Sequence, residues 1–147
     1  MSAGRVEGIF IGPEETLPAP VERVRAVAGS GLEGNRYFYD EAPPGRALTL
    51  IQAEALEGML QDTGIELSAA ESRRNVLTSG IDLNALVGKR FRVGDVECEG
   101  VELCEPCSHL ASLTHRDVLR GMVHRAGLNA EILTDGEIAV GDSVAEI

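Results

Sequence analysis

The sequence predicts a mainly β fold: a β-rich α+β chain forming a closed or nearly closed barrel, with about three short helices packed outside. Three observations carry that expectation. The chain holds about eight or nine short apolar segments with partial alternation, the pattern of strands with one buried face. Helical spacing is confined to about three places, so the regular β/α alternation of a doubly wound sheet is absent. Finally, many short strands leave pairing edges exposed unless the sheet closes on itself.

The elements follow in order. Residues 6–11 and 21–27 read as strands, and the intervening stretch containing Gly12, Pro13, Pro18 and Pro20 reads as a loop. Gly29, Gly31 and Gly34 permit a tight backbone excursion. Residues 46–51 read as a buried strand, feeding a helix over 52–62 that stops at Gly64. Ser68 with Glu71 three positions later is a capping box for a second, short helix. A short strand at 75–78 precedes strands at 89–93, 96–103, 130–133, 138–140 and 144–147. Thr114 and the residues after it cap a third helix running to about Arg125 and ended by Gly127.

At 147 residues the chain has room for one compact domain spanning 1–147, with no repeat or linker to divide it. A chain of that size needs no disulfide or metal staple to fold. No apolar run approaches the roughly 20 residues of a membrane helix, and the first residues lack the basic and apolar stretches of a secretory signal. The expected location is therefore cytoplasmic. The formal net charge of −11 predicts repulsion of nucleic acid and of anionic membranes. Of the 13 basic side chains only Lys89 is a lysine. Arginine is always charged and presents a planar fork suited to phosphate and carboxylate groups.

Cys98, Cys104 and Cys107 are an odd number, which argues against a disulfide framework. Cys104-Glu105-Pro106-Cys107 follows a strand and has three competing readings. As a zinc half-site it lacks a second pair, because Cys98, His109, His115 and His124 offer no matching spacing. As a redox pair it belongs at a helix N-terminus early in a βαβ unit, not two-thirds along a strand-rich chain. The third reading is a thiolate ligand or sulfur carrier. Buried cysteines are commonly inert; two of them bracketing Pro106 at a strand end make that fate less expected for both.

Arg73-Arg74-Asn75 joins the short helix to a strand, where adjacent side chains point to opposite faces, so at most one arginine is expected to face inward. In isolation a solvated polar junction explains it, and the same holds for Arg36 and Arg46. Convergence of two or more of these cations would make an anion site in an otherwise acidic protein.

Seven segments in register resemble the MOSC domain, named for the C-terminal domain of molybdenum cofactor sulfurase. They are Gly31-Leu32-Glu33-Gly34-Asn35-Arg36-Tyr37, Leu48-Thr49-Leu50-Ile51, Arg73-Arg74-Asn75-Val76-Leu77-Thr78-Ser79-Gly80, and residues 86–94, 104–107, 127–130 and 136–142. Asn35 stands where the family usually has Asp, which keeps hydrogen-bonding reach and loses a charge.

The resemblance implies a barrel-like fold that binds the molybdenum cofactor or carries sulfur for it. Cys107 matches the family's key thiol, which in related amidoxime-reducing enzymes ligates molybdenum beside the pterin dithiolene. A soft, deprotonated thiolate suits such a centre. Arg73 matches the first residue of the family's Arg-x-Asn and would contact the pterin or its phosphate; Arg36, Arg74 and Asn75 are the further cofactor-binding candidates.

The implied activity is reduction of N-oxygenated compounds. With no iron–sulfur or flavin motif in the chain, a separate reductase would supply the electrons. The rival is a sulfur carrier with a persulfide on Cys107, loaded by a separate sulfurtransferase, and a third reading is a silent binding domain. The sulfurase's pyridoxal phosphate chemistry is not expected here, because Lys89 lies in a strand with no sign of an aldehyde site.

Overall fold

The structure, a computed structural model, describes residues 4–12, 17–35, 47–64, 66–104 and 126–147. Its strands are β1 (Gly4–Ile11), β2 (Ala19–Val21), β3 (Arg23–Val27), β4 (Gly31–Leu32), β5 (Leu48–Gln52), β6 (Val76–Ser79), β7 (Arg90–Val93), β8 (Val96–Leu103), β9 (Leu128–Ile132), β10 (Gly136–Ala139) and β11 (Ser143–Glu146). Two helices, α1 (Ala53–Thr63) and α2 (Ala69–Ser72), and a 3-10 turn at Leu83–Leu86 lie between them. The helix expected over 114–125 falls outside the described residues.

Seven strands close into a barrel in the order β1, β6, β5, β9, β8, β7, β11, and β11 returns to β1. The seam pairs Gly4 with Val144 and Arg5 with Ser143. Neighbours run antiparallel except β5 and β6, which are parallel. A parallel pair needs a crossover, and α1 with α2 supplies it. The predicted mainly β barrel is the observed architecture.

The region predicted as one strand over 21–27 is two strands in two sheets. β2 pairs with β1 on the barrel side, whereas β3 joins β10 and β4 in a separate three-stranded sheet. The break falls at Glu22, whose carbonyl accepts from Val140 N–H at 2.9 Å and so turns the chain toward β10. Pro20, which has no N–H to give a ladder, sits in β2 at the end of its sheet. The glycine excursion is also more than a turn, since Gly31–Leu32 pairs as β4 and Gly29 takes φ +73°.

Alternation along the strands sorts the side chains. Leu48 and Leu50 of β5, Val76 of β6, Leu128 of β9 and Phe91 of β7 fill the barrel. Ile51 points the other way and meets Met59 of α1, Leu67, Cys104 and Ala126 in a second apolar cluster on the outer wall. Helix α1 ends as expected at Gly64, left-handed at φ +75°, with its N–H bonded to Leu60 O at 2.8 Å. Two glycines let backbones approach where strands cross. A Cβ on Gly127 would overlap the carbonyl oxygen of Leu50, and one on Gly100 that of Leu86.

Candidate functional site

The chain reaches Arg73 through the capping box that the sequence predicts. Ser68 Oγ accepts from Glu71 N–H at 3.1 Å, and Glu71 Oε1 accepts from Ser68 N–H at 3.0 Å. Arg73 caps the other end of this single turn, its N–H bonded to Ala70 O at 3.0 Å. Its backbone is left-handed, φ +61° and ψ +21°. Among the described residues no other non-glycine has positive φ. Such a conformation costs an L-residue about 1–2 kcal/mol. The side chain is 6% exposed, where a charged group is seldom found.

Arg74 and Asn75 are fixed differently. Arg74 is half-buried, and its Nε donates to the carbonyl of Ala126 at 2.7 Å. Asn75 is 4% exposed and is bonded to two strands. Its Oδ1 accepts from Thr49 Oγ1 at 3.0 Å and from Thr49 N–H at 3.3 Å, while its own N–H donates to Thr49 Oγ1 at 3.0 Å. Its Nδ2 donates to Phe10 O at 3.2 Å. All three residues precede β6, so strand alternation does not sort the two arginines: Arg73 is buried outright and Arg74 reaches sideways toward β9.

From Thr49 a polar row continues across the outer wall. Thr49 stands directly opposite Asn129 of β9. Asn129 Oδ1 accepts from Cys104 Sγ at 2.8 Å. Cys104 closes β8, with its N–H bonded to Gly127 O at 2.8 Å. Cys104 and Ala126, which flank residues 105–125, thus lie together in the outer apolar cluster, and Arg74 grips the second of them. Cys107, Arg36 and Arg46 lie outside the described residues.

The remaining cations are differently placed. Arg5, Arg23, Arg25, Lys89 and Arg92 form exposed ion pairs with glutamates, which hold little energy. A shallow groove between β1 and β2 is lined by Glu7 and Glu22 beside Phe10, Pro20 and Val21; its carboxylates oppose an anionic ligand. Cys98 is buried inside the barrel, and burial, with a smaller contribution from Glu97, pushes its thiol up to about 12. It is an inert packing group at neutral pH. No helix of the described residues is long and apolar enough to cross a membrane.

The sequence pattern of the MOSC domain family matches residues 35–145. The chain belongs to the MOSC family. Solved structures resemble this MOSC domain in fold. The YuaD protein from Bacillus subtilis superimposes with a TM-score of 0.85 over 97% of this chain and 94% of that one, at 15% identity. YiiM from Geobacillus stearothermophilus gives 0.77 over 98% and 75%, at 17% identity. YiiM from Escherichia coli gives 0.76 over 100% and 70%, also at 17% identity. No protein of curated function matches the chain.

Two members of the polar row, Thr49 and Asn129, were not singled out as site residues by the sequence reading, although both fall in segments that carry the family resemblance. The available signal was a lone polar residue inside an apolar strand, Leu48-Thr49-Leu50 and Leu128-Asn129-Ala130. A buried side chain of that kind needs a partner, and here the partners are Asn75 and Cys104.

Proposed function

We propose that this MOSC domain binds the molybdenum cofactor and takes part in reducing N-oxygenated compounds, with Cys107 as the molybdenum ligand and Arg73 on the cofactor phosphate. The observation that carries the reading is Arg73 itself, a buried cation held in a left-handed backbone at the end of the barrel where Cys104 and Ala126 meet. Glycine would take that backbone without penalty. Keeping a guanidinium there makes sense if the charge has an anion to meet, and a phosphate is matched by the planar fork.

The described donor set fits such a cofactor. Among the described residues no group of three or more His, Cys, Asp or Glu side chains is disposed to hold a metal, and a pterin that brings its own sulfur ligands asks the protein for one thiolate. Cys107 lies three residues beyond Cys104, so covalent geometry keeps its Cα within about 11 Å of that anchor. Arg74 would use Nε on Ala126 and its other donors on the ligand, since a guanidinium has five N–H groups. Asn75 acts by holding Arg73, and Arg36 is a further cofactor contact. When bound, the cofactor supplies the redox centre. Conversion of N–OH to N–H consumes two electrons and two protons and releases water, the electrons coming from a separate reductase.

The test is molybdenum and pterin analysis of protein from a host that makes the cofactor, for the wild type and for Arg73→Ala and Arg5→Ala. The expected result is bound molybdenum and pterin, lost in Arg73→Ala and kept in Arg5→Ala. Absence of both from wild type, with labile sulfur on Cys107, would replace this reading with the sulfur carrier.

A further inference from the structure

We infer that Thr49 is a positioning residue for Arg73, acting through Asn75; the inference rests on the proposal that Arg73 binds a phosphate group. The Thr49 hydroxyl accepts from Asn75 N–H and donates to Asn75 Oδ1, each at 3.0 Å, closing a small ring. One oxygen that both donates and accepts is required, which serine or threonine supplies and valine does not. Thr49 O takes a second bond from Asn75 N–H at 3.1 Å. Phe10 N–H donates to Asn75 O at 2.7 Å, and Asn75 Nδ2 returns a bond to Phe10 O.

Asn75 is therefore fixed to β5 and β1, while the Ser68–Glu71 box fixes the turn on the other side of Arg73. Only two residues separate these anchors. The left-handed backbone at Arg73 connects them, and it directs the guanidinium. Elsewhere in the fold the same backbone region is filled by glycine, as at Gly64 and Gly88. A scaffold that merely needed the turn would have the same remedy at position 73. Thr49 thus serves to hold a charged side chain in a conformation that the side chain itself disfavours.

The experiment uses the full chain and inorganic phosphate as probe, followed by NMR at the Arg73 backbone amide and Nε–H. Wild type and Thr49→Ser should bind phosphate saturably and alike. Thr49→Val should bind about fivefold more weakly, the change expected from one lost hydrogen bond. A second readout needs no ligand. Arg73→Gly relieves backbone strain only while Thr49 imposes it, so its shift in melting temperature should be more positive in the wild-type background than in Thr49→Val. No saturable binding by wild type would overturn the anion reading and this inference with it. Equal binding by wild type and Thr49→Val, or equal Arg73→Gly shifts in the two backgrounds, would overturn the inference alone. Should Thr49→Val not fold, Thr49→Ser keeps the question open to refutation: weakened phosphate binding by that folded variant would equally overturn it.

Discussion

The Nε of Arg74 lies 2.7 Å from the carbonyl oxygen of Ala126, joining two points 52 residues apart in the chain. The residue beside Arg73 thereby holds the strand entry to which residues 105–125 return.

Arg74→Met tests that grip, since methionine keeps much of the apolar stem and removes the donors. A hydrogen bond from a charged donor contributes about 1.5–3 kcal/mol when buried; at this half-buried position a loss of about 1–2 kcal/mol is expected. Urea unfolding followed by far-UV circular dichroism measures it, and an unchanged midpoint would show that the contact holds nothing.

Gly127→Ala should be far costlier than Gly88→Ala. Both glycines have positive φ, +108° and +77°, but a Cβ at 127 overlaps the Leu50 carbonyl whereas one at 88 meets nothing within 4 Å. The expected costs are more than about 3 kcal/mol at Gly127 and about 1 kcal/mol at Gly88. Equal midpoints in denaturant would contradict the close packing of β9 on β5.

Cys98 predicts a specific alkaline limb. Its thiol, pushed up to about 12 in the fold from an unfolded value of 9.0, keeps its proton where the unfolded chain has lost it. Stability from this group is fully present below about 9 and declines as pH rises toward about 12. Cys98→Ala should flatten that slope while lowering stability at neutral pH through the cavity it leaves. A pH series of chemical denaturation curves for both proteins gives the comparison; identical slopes would remove Cys98 as the cause.

Cys104 and Cys107 should respond unequally to replacement. Cys104 is buried in the outer apolar cluster, with Sγ on Asn129, so Cys104→Ser should keep most cofactor or persulfide loading. Cys107→Ser should abolish it. Bound molybdenum, labile sulfur and the rate of alkylation at neutral pH are the readouts. Equal losses in both variants would indicate a shared site, and loss in Cys104→Ser alone would move the assignment to that sulfur.

The barrel was legible because alternation is a property of each strand by itself: 96–103 was read to the residue, and α1 and the Ser68 box follow from local signals. Partnership between strands is not local. Nothing at Glu22 announces that its carbonyl will be taken by Val140, so the split of 21–27 was invisible. The left-handed backbone at Arg73 was equally hidden, because Ser72-Arg73-Arg74-Asn75 contains no glycine to mark it. The arginines were found by charge, yet Thr49 and Asn129 could be recognised only once β5 and β9 stood side by side. Where Arg36 and Cys107 lie remains a matter of the family pattern and not of the described fold.

The seam of the barrel also sets an order of events. Gly4 finds Val144 across nearly the whole length of the chain, so the contact that completes the ring carries the greatest loop-closure cost. A chain emerging from the ribosome holds β1 early, but its partner arrives with the last residues made. Until then the free edges of β1 and β7 are open to pairing with other chains. Completion of synthesis, and not the appearance of the arginine and cysteine segments, is what should make the domain safe from aggregation and able to retain a ligand.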